Sequence, residues 1–350
     1  MIRVLVAEDS STARALLVAI LSAEQDFTVV GEARTGTEAV DMAVRLMPDL
    51  VTMDVHMPEL GGIEATRQIM TRSPRPILVV SSAARSDDVE LSLEATRSGA
   101  LMVIAKPEGV QSAGYQADRR QLVSMVRALA QVKVVRRHGT NLPVPGATVR
   151  GALPARGSTN APELIAIAAS TGGPAALRQI LSELPAAFPV PVLVVQHIAR
   201  GFSGGLAHWL AGDSGMRVKL AELGELAEAG VVYIAPDDRH LGVRRGAGGE
   251  LRILLDNAPP VGTFRPSASY LFASCAQNVG RGVLACILTG MGDDGVDGLR
   301  EVRRAGGRVL AQDETSSVIY GMPREAARAG VVDLVVALDD VARRLVELVA

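Results

Sequence analysis

The stretch Leu164-Ile-Ala-Ile-Ala-Ala-Ser-Thr-Gly-Gly-Pro174 decides the fold of the second half of the chain. Its apolar residues, 164–169, predict a buried parallel strand that ends at Ser170. The glycines and Pro174 then turn the chain into a predicted helix over 175–184. A serine placed there has backbone N–H groups around it and suits a nucleophile, but it equally suits a helix N-cap. This stretch alone leaves both interpretations open.

The composition favours layered α/β domains. The chain has 350 residues, a length typical of two or three domains, and 48% of them are apolar while only 3% are aromatic. Cores of Val, Leu, Ile and Ala suit helices packed on parallel sheets. The formal net charge of −2 argues against a nucleic-acid-binding protein, because such a protein needs a basic face.

The two cysteines and the N-terminus indicate a cytoplasmic protein. Cys275 and Cys286 lack the spacing of a metal site or a disulfide framework, so we expect ordinary core residues in a reducing compartment. The N-terminus lacks the basic region and cleavage site of a signal peptide. No apolar run reaches membrane-spanning length, so membrane insertion is not expected.

Two further apolar segments in the second half end in polar residues. The segment over 190–196 is followed by His197, and the segment that ends at Thr289 leads into a turn with Asp293 and Asp294. An open α/β sheet gathers its functional residues at the carboxyl ends of its strands. The histidine, one of the two acids and the serine described above are therefore expected to lie close together.

The remaining histidines of the second half have less suggestive surroundings. His208 lies in a helical stretch and is expected to pack there, and His240 is expected in a turn after three charged residues. The apolar segments at 231–236 and 251–255 predict two more strands. His197 is thus the only histidine that ends a predicted strand in this half.

A serine, a histidine and a carboxylate together suit nucleophilic catalysis. A serine hydroxyl needs a base near neutral pH, and histidine can take the proton and return it to the leaving group. A carboxylate fixes the tautomer of the imidazole and stabilises its charged form. The alternative is a phosphate- or nucleotide-binding module that uses amides at the helix N-terminus, although the dinucleotide glycine fingerprint and the P-loop lysine are missing. Spacing alone leaves a triad and separate cap and turn residues about equally open.

The first half alternates predicted strands and helices, and polar residues follow its strands. These residues are Glu8, Asp9, Asp54, Ser81 and Lys106. Carboxylates that converge at strand ends need a cation, and their oxygens suit Mg²⁺. A lysine and a hydroxyl opposite the metal suit a phosphoryl group. The first half therefore predicts a parallel sheet with a magnesium and phosphoryl site at one edge.

A segment rich in Pro, Gly, Ser and Ala separates the two halves. It follows a helix predicted over 115–135 and shows no periodicity over 139–162. We therefore divide the chain into a domain at 1–130, a linker at 131–162 and a second domain at 163–350.

The first domain resembles response-regulator receiver domains, on the strength of Glu8-Asp9, Asp54 with Met57-Pro58, Ser81 and Lys106-Pro107. The resemblance implies a flavodoxin-like doubly wound sheet in which Asp54 accepts a phosphoryl group from a histidine kinase. It also implies that the acids and the backbone carbonyl of His56 hold Mg²⁺, while Ser81 and Lys106 contact the phosphoryl oxygens. Many receivers carry an aromatic switch residue three positions before the lysine, where this chain has Val103.

The second domain resembles the catalytic domain of chemotaxis protein-glutamate methylesterases. The motifs that carry the resemblance are Ala169-Ser-Thr-Gly-Gly-Pro174, Gln196-His197, Tyr233-Ile-Ala-Pro236, Arg265-Pro-Ser267, Leu288-Thr-Gly-Met-Gly-Asp-Asp-Gly295 and Gly321-Met-Pro-Arg-Glu325. The resemblance implies a Rossmann-like doubly wound sheet with Ser170 as nucleophile, His197 as base and Asp294 as orienting acid. Where the family usually has Asn-Asp, this chain has Asp293-Asp294, which adds a charge beside the site. The backbone amides of Thr171 and Met291 are the candidates for the oxyanion hole.

The resemblance also implies an activity and its regulation. The expected reaction is hydrolysis of glutamate γ-methyl esters on methyl-accepting chemoreceptors, together with deamidation of receptor glutamines. No cofactor is expected for this reaction, and Mg²⁺ is expected only for phosphorylation of the receiver. The unphosphorylated receiver is expected to cover the cleft at Ser170, so phosphorylation of Asp54 should raise activity.

Overall fold

The computed structural model describes residues 1–82, 86–132, 134 and 161–350. The chain divides into two compact units, Met1–Leu142 and Pro143–Ala350. Most of the predicted linker lies outside the described residues. Across the described part of the chain, no helix is long and apolar enough to cross a membrane.

The first unit is built on a parallel sheet. Within residues 1–82 and 86–132 the sheet has five strands in the order β2-β1-β3-β4-β5. They are β1 (Ile2–Ala7), β2 (Phe27–Ala33), β3 (Leu50–Met53), β4 (Ile77–Ser81) and β5 (Met102–Ala105). The order reverses between β1 and β3, which is where open sheets of this kind place their ligands. The predicted flavodoxin-like fold is confirmed.

The helices of the first unit follow the strands in the predicted alternation. They are α1 (Ser11–Ser22), α2 (Gly36–Leu46), α3 (Gly62–Arg72), α4 (Ser86–Arg97) and α5 (Tyr115–Leu129). Side chains cap two of them: Ser10 accepts from the amide of Ala13, and Thr35 accepts from that of Glu38. The last helix ends at Leu129 and not at 135 as predicted, because Ala130 already forms its C-cap.

The second unit contains a larger parallel sheet. Its strands are β6 (Leu164–Ala169), β7 (Val192–Gln196), β8 (Arg217–Leu220), β9 (Val231–Ile234), β10 (His240–Arg245), β11 (Leu251–Asp256), β12 (Val283–Ile287), β13 (Arg308–Gln312) and β14 (Leu334–Val336). Within residues 161–350, seven of these form one sheet in the order β14-β13-β12-β6-β7-β9-β8. Every pairing in that sheet is parallel, and β6 lies near its centre. The predicted Rossmann-like parallel sheet is confirmed.

The two other strands form an antiparallel hairpin, β10 with β11. The prediction of a turn at His240 is wrong, because this residue begins β10 and is fully buried. Its ring stacks on that of Tyr270, with centroids 4.5 Å apart. A helix covers the apolar surface of the hairpin. A segment that looks like a polar loop in the sequence is therefore part of the core.

The helices of the second unit are α6 (Gly173–Glu183), α7 (Ser203–Ala211), α8 (Ala268–Val279), α9 (Val296–Arg304), α10 (Met322–Arg328) and α11 (Leu338–Val349). His208 lies in α7, as predicted. Helix α8 packs against β6, β12 and the hairpin strand β10. This packing brings the N-terminus of α8 close to the carboxyl end of β12.

Candidate active site and phosphoacceptor site

The pairing of β6 with β7 places Ser170 beside His197. The two strands are parallel, and Ala169 is opposite Gln196, so the next residue of each strand leaves the sheet at the same level. The amide of His197 donates to the carbonyl of Ala169 at 2.9 Å, which continues the ladder past the last strand residues. Two residues that are 27 positions apart are therefore neighbours at one edge of the sheet.

Ser170 is held by its backbone and is not a helix cap. The N-cap of α6 is Gly172, with φ +77°, and no side chain caps this helix. The amide of Ser170 donates to the carbonyl of Thr289 at 3.0 Å. Its carbonyl accepts from Nε2 of Gln196 at 2.8 Å, and the same nitrogen reaches the carbonyl of His197 at 2.8 Å. The hydroxyl makes no hydrogen bond within the described residues, so it is free to act on a ligand.

A glycine makes this position of the serine possible. Gly290 lies so close that a Cβ on it would be 2.7 Å from Cβ of Ser170 and 2.4 Å from the sulfur of Met322. Both distances are too short for real contacts, and a serine backbone held from two sides has little room to move. Any larger residue at position 290 would therefore displace Ser170.

His197 is oriented by Asp294. Nε2 of the imidazole lies 2.9 Å from Oδ2 of Asp294, and both side chains are largely buried. Nδ1 of His197 is buried and has no hydrogen-bond partner in the part of the chain that the structure describes. A carboxylate at Nε2 assigns the proton to that nitrogen, which leaves the lone pair on Nδ1. The nitrogen available to accept a proton is therefore Nδ1.

The carboxylate of Asp294 lies at the N-terminus of α8. Oδ1 accepts from the hydroxyl of Ser267 at 2.8 Å and from the amide of Ser269 at 3.0 Å, and Oδ2 accepts from the amide of Ala268 at 2.7 Å. Burial alone would raise the pKa of this acid, but the hydrogen bond from His197 and those from the helix amides outweigh it and hold the pKa well below its usual range. Asp294 thus stays charged beside the imidazole, whereas Asp293 is exposed.

The two predicted oxyanion donors lie beside these residues. Thr171 directly follows Ser170, and Met291 follows the glycine that packs against it. Within residues 161–350, neither amide donates a hydrogen bond to a protein acceptor. Amides that are not used by the fold can donate to a developing negative charge.

Three residues that support the site were not predicted from the sequence. Phe264 stacks on the ring of His197, Ser267 binds Asp294, and His240 accepts a hydrogen bond at Nδ1 from the amide of Ser267 at 3.3 Å. A serine after Arg265-Pro266 and before an apolar helix is a capping signal, so the role of Ser267 in the helix could have been found.

The candidate phosphoacceptor site of the first unit brings together four more of the predicted residues, Glu8, Asp9, Asp54 and Lys106. Nζ of Lys106 lies 2.9 Å from Oε1 of Glu8 and 2.8 Å from Oδ2 of Asp54. Glu8, Asp9 and Asp54 can each offer an oxygen within 4.8 Å of the others. Ser81 is fully buried, and its hydroxyl has no partner within the described residues. Val103, at the switch position, is buried in β5.

The charge state of Glu8 reflects its surroundings. Burial raises the pKa of Glu8 to about 7, the nearby charge of Asp54 adds to the rise, and the hydrogen bond from Lys106 opposes it. The pKa of Lys106 is raised because its bonds to Asp54 and Glu8 outweigh the effect of burial. Oε2 of Glu8 is buried without a partner in the described part of the chain. An unpartnered carboxylate oxygen beside two further carboxylates fits a divalent cation that prefers oxygen.

Comparisons with known proteins agree with the two kinds of domain described above. The family model described as CheB methylesterase matches residues 165–345, and that described as response regulator receiver domain matches residues 4–113. The crystal structure of the Thermotoga maritima CheB methylesterase catalytic domain superposes with a TM-score of 0.52 at 38% identity, over 53% of this chain and 98% of that one.

Full-length relatives share both domains. A protein of Myxococcus xanthus named protein-glutamate methylesterase/protein-glutamine glutaminase 4 is 54% identical over 98% of this chain and 96% of its own length. One of Anaeromyxobacter dehalogenans, with the same name and number 3, is 49% identical over 99% of this chain and 98% of its own.

Proposed function

Because this chain belongs to the CheB methylesterase family and carries a receiver domain, we propose that it hydrolyses glutamate γ-methyl esters on methyl-accepting chemoreceptors. The observation that carries the proposal is the pair of His197 and Asp294 beside Ser170, whose hydroxyl is unused. A phosphate-binding loop would need only amides at a helix N-terminus. It would have no use for a buried imidazole held by a charged carboxylate.

In the first step, Oγ of Ser170 attacks the ester carbonyl while Nδ1 of His197 accepts its proton. Nε2 keeps its hydrogen bond to Asp294, which stabilises the imidazolium. The amides of Thr171 and Met291 donate to the oxyanion of the tetrahedral intermediate. The intermediate then collapses, and methanol leaves with the proton from Nδ1.

In the second step, water releases the product. Nδ1 of His197 takes a proton from water, the hydroxide formed attacks the acyl carbonyl, and Ser170 leaves with that proton. The product is a glutamic acid side chain on the receptor, which releases its proton to water and becomes a carboxylate. A glutamine side chain follows the same path with ammonia as the leaving group, so we propose deamidation as a second reaction. Side chains, amides and water supply every group that these steps need.

The receiver is proposed to control this reaction. Asp54 would accept a phosphoryl group from a chemotaxis histidine kinase, with Ser81 and Lys106 on its oxygens. Glu8, Asp9, Asp54 and the backbone carbonyl of His56 would hold Mg²⁺, which supplies positive charge for the phosphoryl group. Phosphorylation, or removal of residues 1–139, is expected to raise the esterase rate. With these proposed partners, we propose that the protein acts in the cytoplasm.

The proposed function is tested by methanol release from methylated receptor fragments. Ser170→Ala and His197→Ala should each lower the rate by about 10⁴-fold or more, since nucleophile and base act as one unit. The matched control is Ser182→Ala, an exposed serine at the far end of α6, which should leave the rate unchanged. Acetyl phosphate with Mg²⁺ should raise the rate of the wild type and not that of Asp54→Asn.

Two outcomes would contradict the proposal. Absence of methanol release by the wild type and by the protein that lacks residues 1–139 would exclude these esters as substrates. Binding of a phosphate compound at the N-terminus of α6 that survives His197→Ala would favour the phosphate-binding module.

A further inference from the structure

The ring of Phe264 lies flat against the imidazole of His197. The two ring centroids are 4.1 Å apart, and the planes differ by 9°. Asp294 holds the edge of the same imidazole at Nε2. The imidazole is thus held at its edge by a hydrogen bond and on one face by an aromatic ring.

Phe264 is placed by a tight turn. Its amide donates to the carbonyl of Val261 at 3.1 Å, and the amide of Val261 donates to its carbonyl at 3.1 Å. The chain then runs directly through Arg265 and Pro266 to Ser267, which donates to Asp294. A single short segment therefore carries both the ring that covers the imidazole and the hydroxyl that holds the carboxylate.

Phe264 also borders a cleft of about 560 Å³, together with Asp293 and Asp294. The other charged residues of this cleft are Asp297, Arg300, Glu325 and Arg328. Arg265 points elsewhere, since its Nη1 lies near the carbonyls of Asn257 and Ala258. Of the groups in contact with the imidazole, Asp294 carries charge and Phe264 does not.

A hydrogen bond at one nitrogen leaves an imidazole free to swing out of its plane, whereas a parallel ring blocks that movement on one side. The imidazole also becomes a cation in each proposed step, and the face of a phenyl ring attracts a cation. The restriction of movement acts throughout the reaction, and the attraction acts while the proton is on Nδ1. Neither effect requires that Phe264 touch the substrate.

We propose that Phe264 is a positioning residue of the hydrolytic reaction, which keeps Nδ1 of His197 directed at Ser170 and favours the protonated imidazole. This inference rests on the proposed esterase function. It goes beyond that function because it assigns a role to a residue other than Ser170, His197 and Asp294.

The test compares Phe264→Leu with Phe264→Tyr, which keeps the aromatic face. In Phe264→Leu, kcat should fall about tenfold with KM nearly unchanged, because the imidazole loses the ring that restricts its movement and faces it when it is charged. Phe264→Tyr should keep both properties near those of the wild type. Val261→Ala, in the same turn, is the control for simple loss of apolar surface.

A second readout does not depend on methyl esters. Proton NMR of the full chain should show the ring protons of His197 shifted upfield in the wild type and in Phe264→Tyr, and not in Phe264→Leu. Unchanged kcat and unchanged ring-proton shifts in Phe264→Leu, or an equal loss of kcat in Phe264→Tyr, would overturn the inference. If the wild type releases no methanol, the proposed function fails. The NMR comparison still shows whether the ring of Phe264 lies against the imidazole of His197.

Discussion

Glu8 in the receiver and Asp294 in the catalytic domain are both buried acids at the ends of parallel strands, yet their charges are stabilised very differently. The pKa of Glu8 is raised to about 7, whereas that of Asp294 lies well below its usual range. Glu8 shares its site with Asp54 and has one oxygen without a partner. Asp294 has a hydroxyl, two helix amides and an imidazole around it.

The difference shows that burial raises the pKa of both acids, and that only Asp294 has enough hydrogen-bond donors around it to outweigh the effect of burial. The catalytic site is complete without a ligand because the protein supplies every partner of Asp294. The receiver site is short of positive charge, and this deficit is what a cation would fill. Asp294 therefore holds the imidazole in a fixed geometry, whereas Glu8 is suited to binding a cation.

The largest effect is expected from Asp294→Asn. An asparagine has no negative charge to stabilise the imidazolium, and its NH₂ group must take the place of an oxygen that now accepts a backbone amide, which disturbs the hydrogen bond that keeps the proton on Nε2 of His197. We expect kcat for methanol release to fall by about 10⁴-fold, a loss typical of this change in serine hydrolases. Steady-state kinetics on methylated receptor fragments measure it.

The neighbouring acid provides the control for that change. Asp293→Asn removes an exposed charge next to the same residue and should alter kcat by no more than about twofold. Equal losses in the two variants would mean that net charge near the site matters, and not the hydrogen bond to His197.

An intermediate effect is expected from pH on the metal-free receiver. Since folding raises the pKa of Glu8 from 4.5 to about 7, the folded state binds this proton more tightly than the unfolded state. The stabilisation is complete below pH 4.5 and is lost as pH rises to about 7, by on the order of 3 kcal/mol. Calorimetry in EDTA should show that the midpoint temperature of receiver unfolding falls between about pH 5 and about pH 8.

Glu8→Gln separates this effect from other titrations. The variant has no proton to lose at that position, so its receiver transition should depend less on pH. If the unfolding midpoint changes equally with pH in both proteins, Glu8 does not cause the pH dependence.

The smallest effect is expected from Ser267→Ala. The change removes one hydrogen bond to Asp294 and the cap of α8, and we expect about 1–2 kcal/mol less stability in urea unfolding. The rate of methanol release should fall about tenfold, since two amides still hold the carboxylate. Ser267→Thr keeps a hydroxyl and should recover most of both losses; failure of this rescue would argue against the hydrogen bond as the cause.

Strand alternation and polar strand ends were enough to predict both parallel sheets and most of the site residues. The reason is physical: the carboxyl ends of parallel strands share one edge of the sheet, so residues such as Ser170 and His197 converge wherever the strands are adjacent. The family resemblance then distinguished Asp294 from Asp293, which spacing could not do.

The features that were not predicted from the sequence depend on contacts between distant segments. The antiparallel hairpin was missed because His240 follows three charged residues, and only the packing of Tyr270 on its ring shows that it belongs to the core. Phe264 lies in a short exposed turn whose sequence carries no sign of the imidazole beside it. Ring orientation also escaped prediction, since nothing local tells which nitrogen of His197 faces the acid.

The side-chain amide of Gln196 binds the backbone carbonyls of both Ser170 and His197. A replacement at this position would disturb the nucleophile and the base at once. During evolution, a substitution of Gln196 would therefore change the positions of Ser170 and His197 together. Neither residue can be adjusted alone by a change at this position. Adjustments to a single partner must instead come through contacts that only it makes, such as Gly290 for the serine and Phe264 for the histidine.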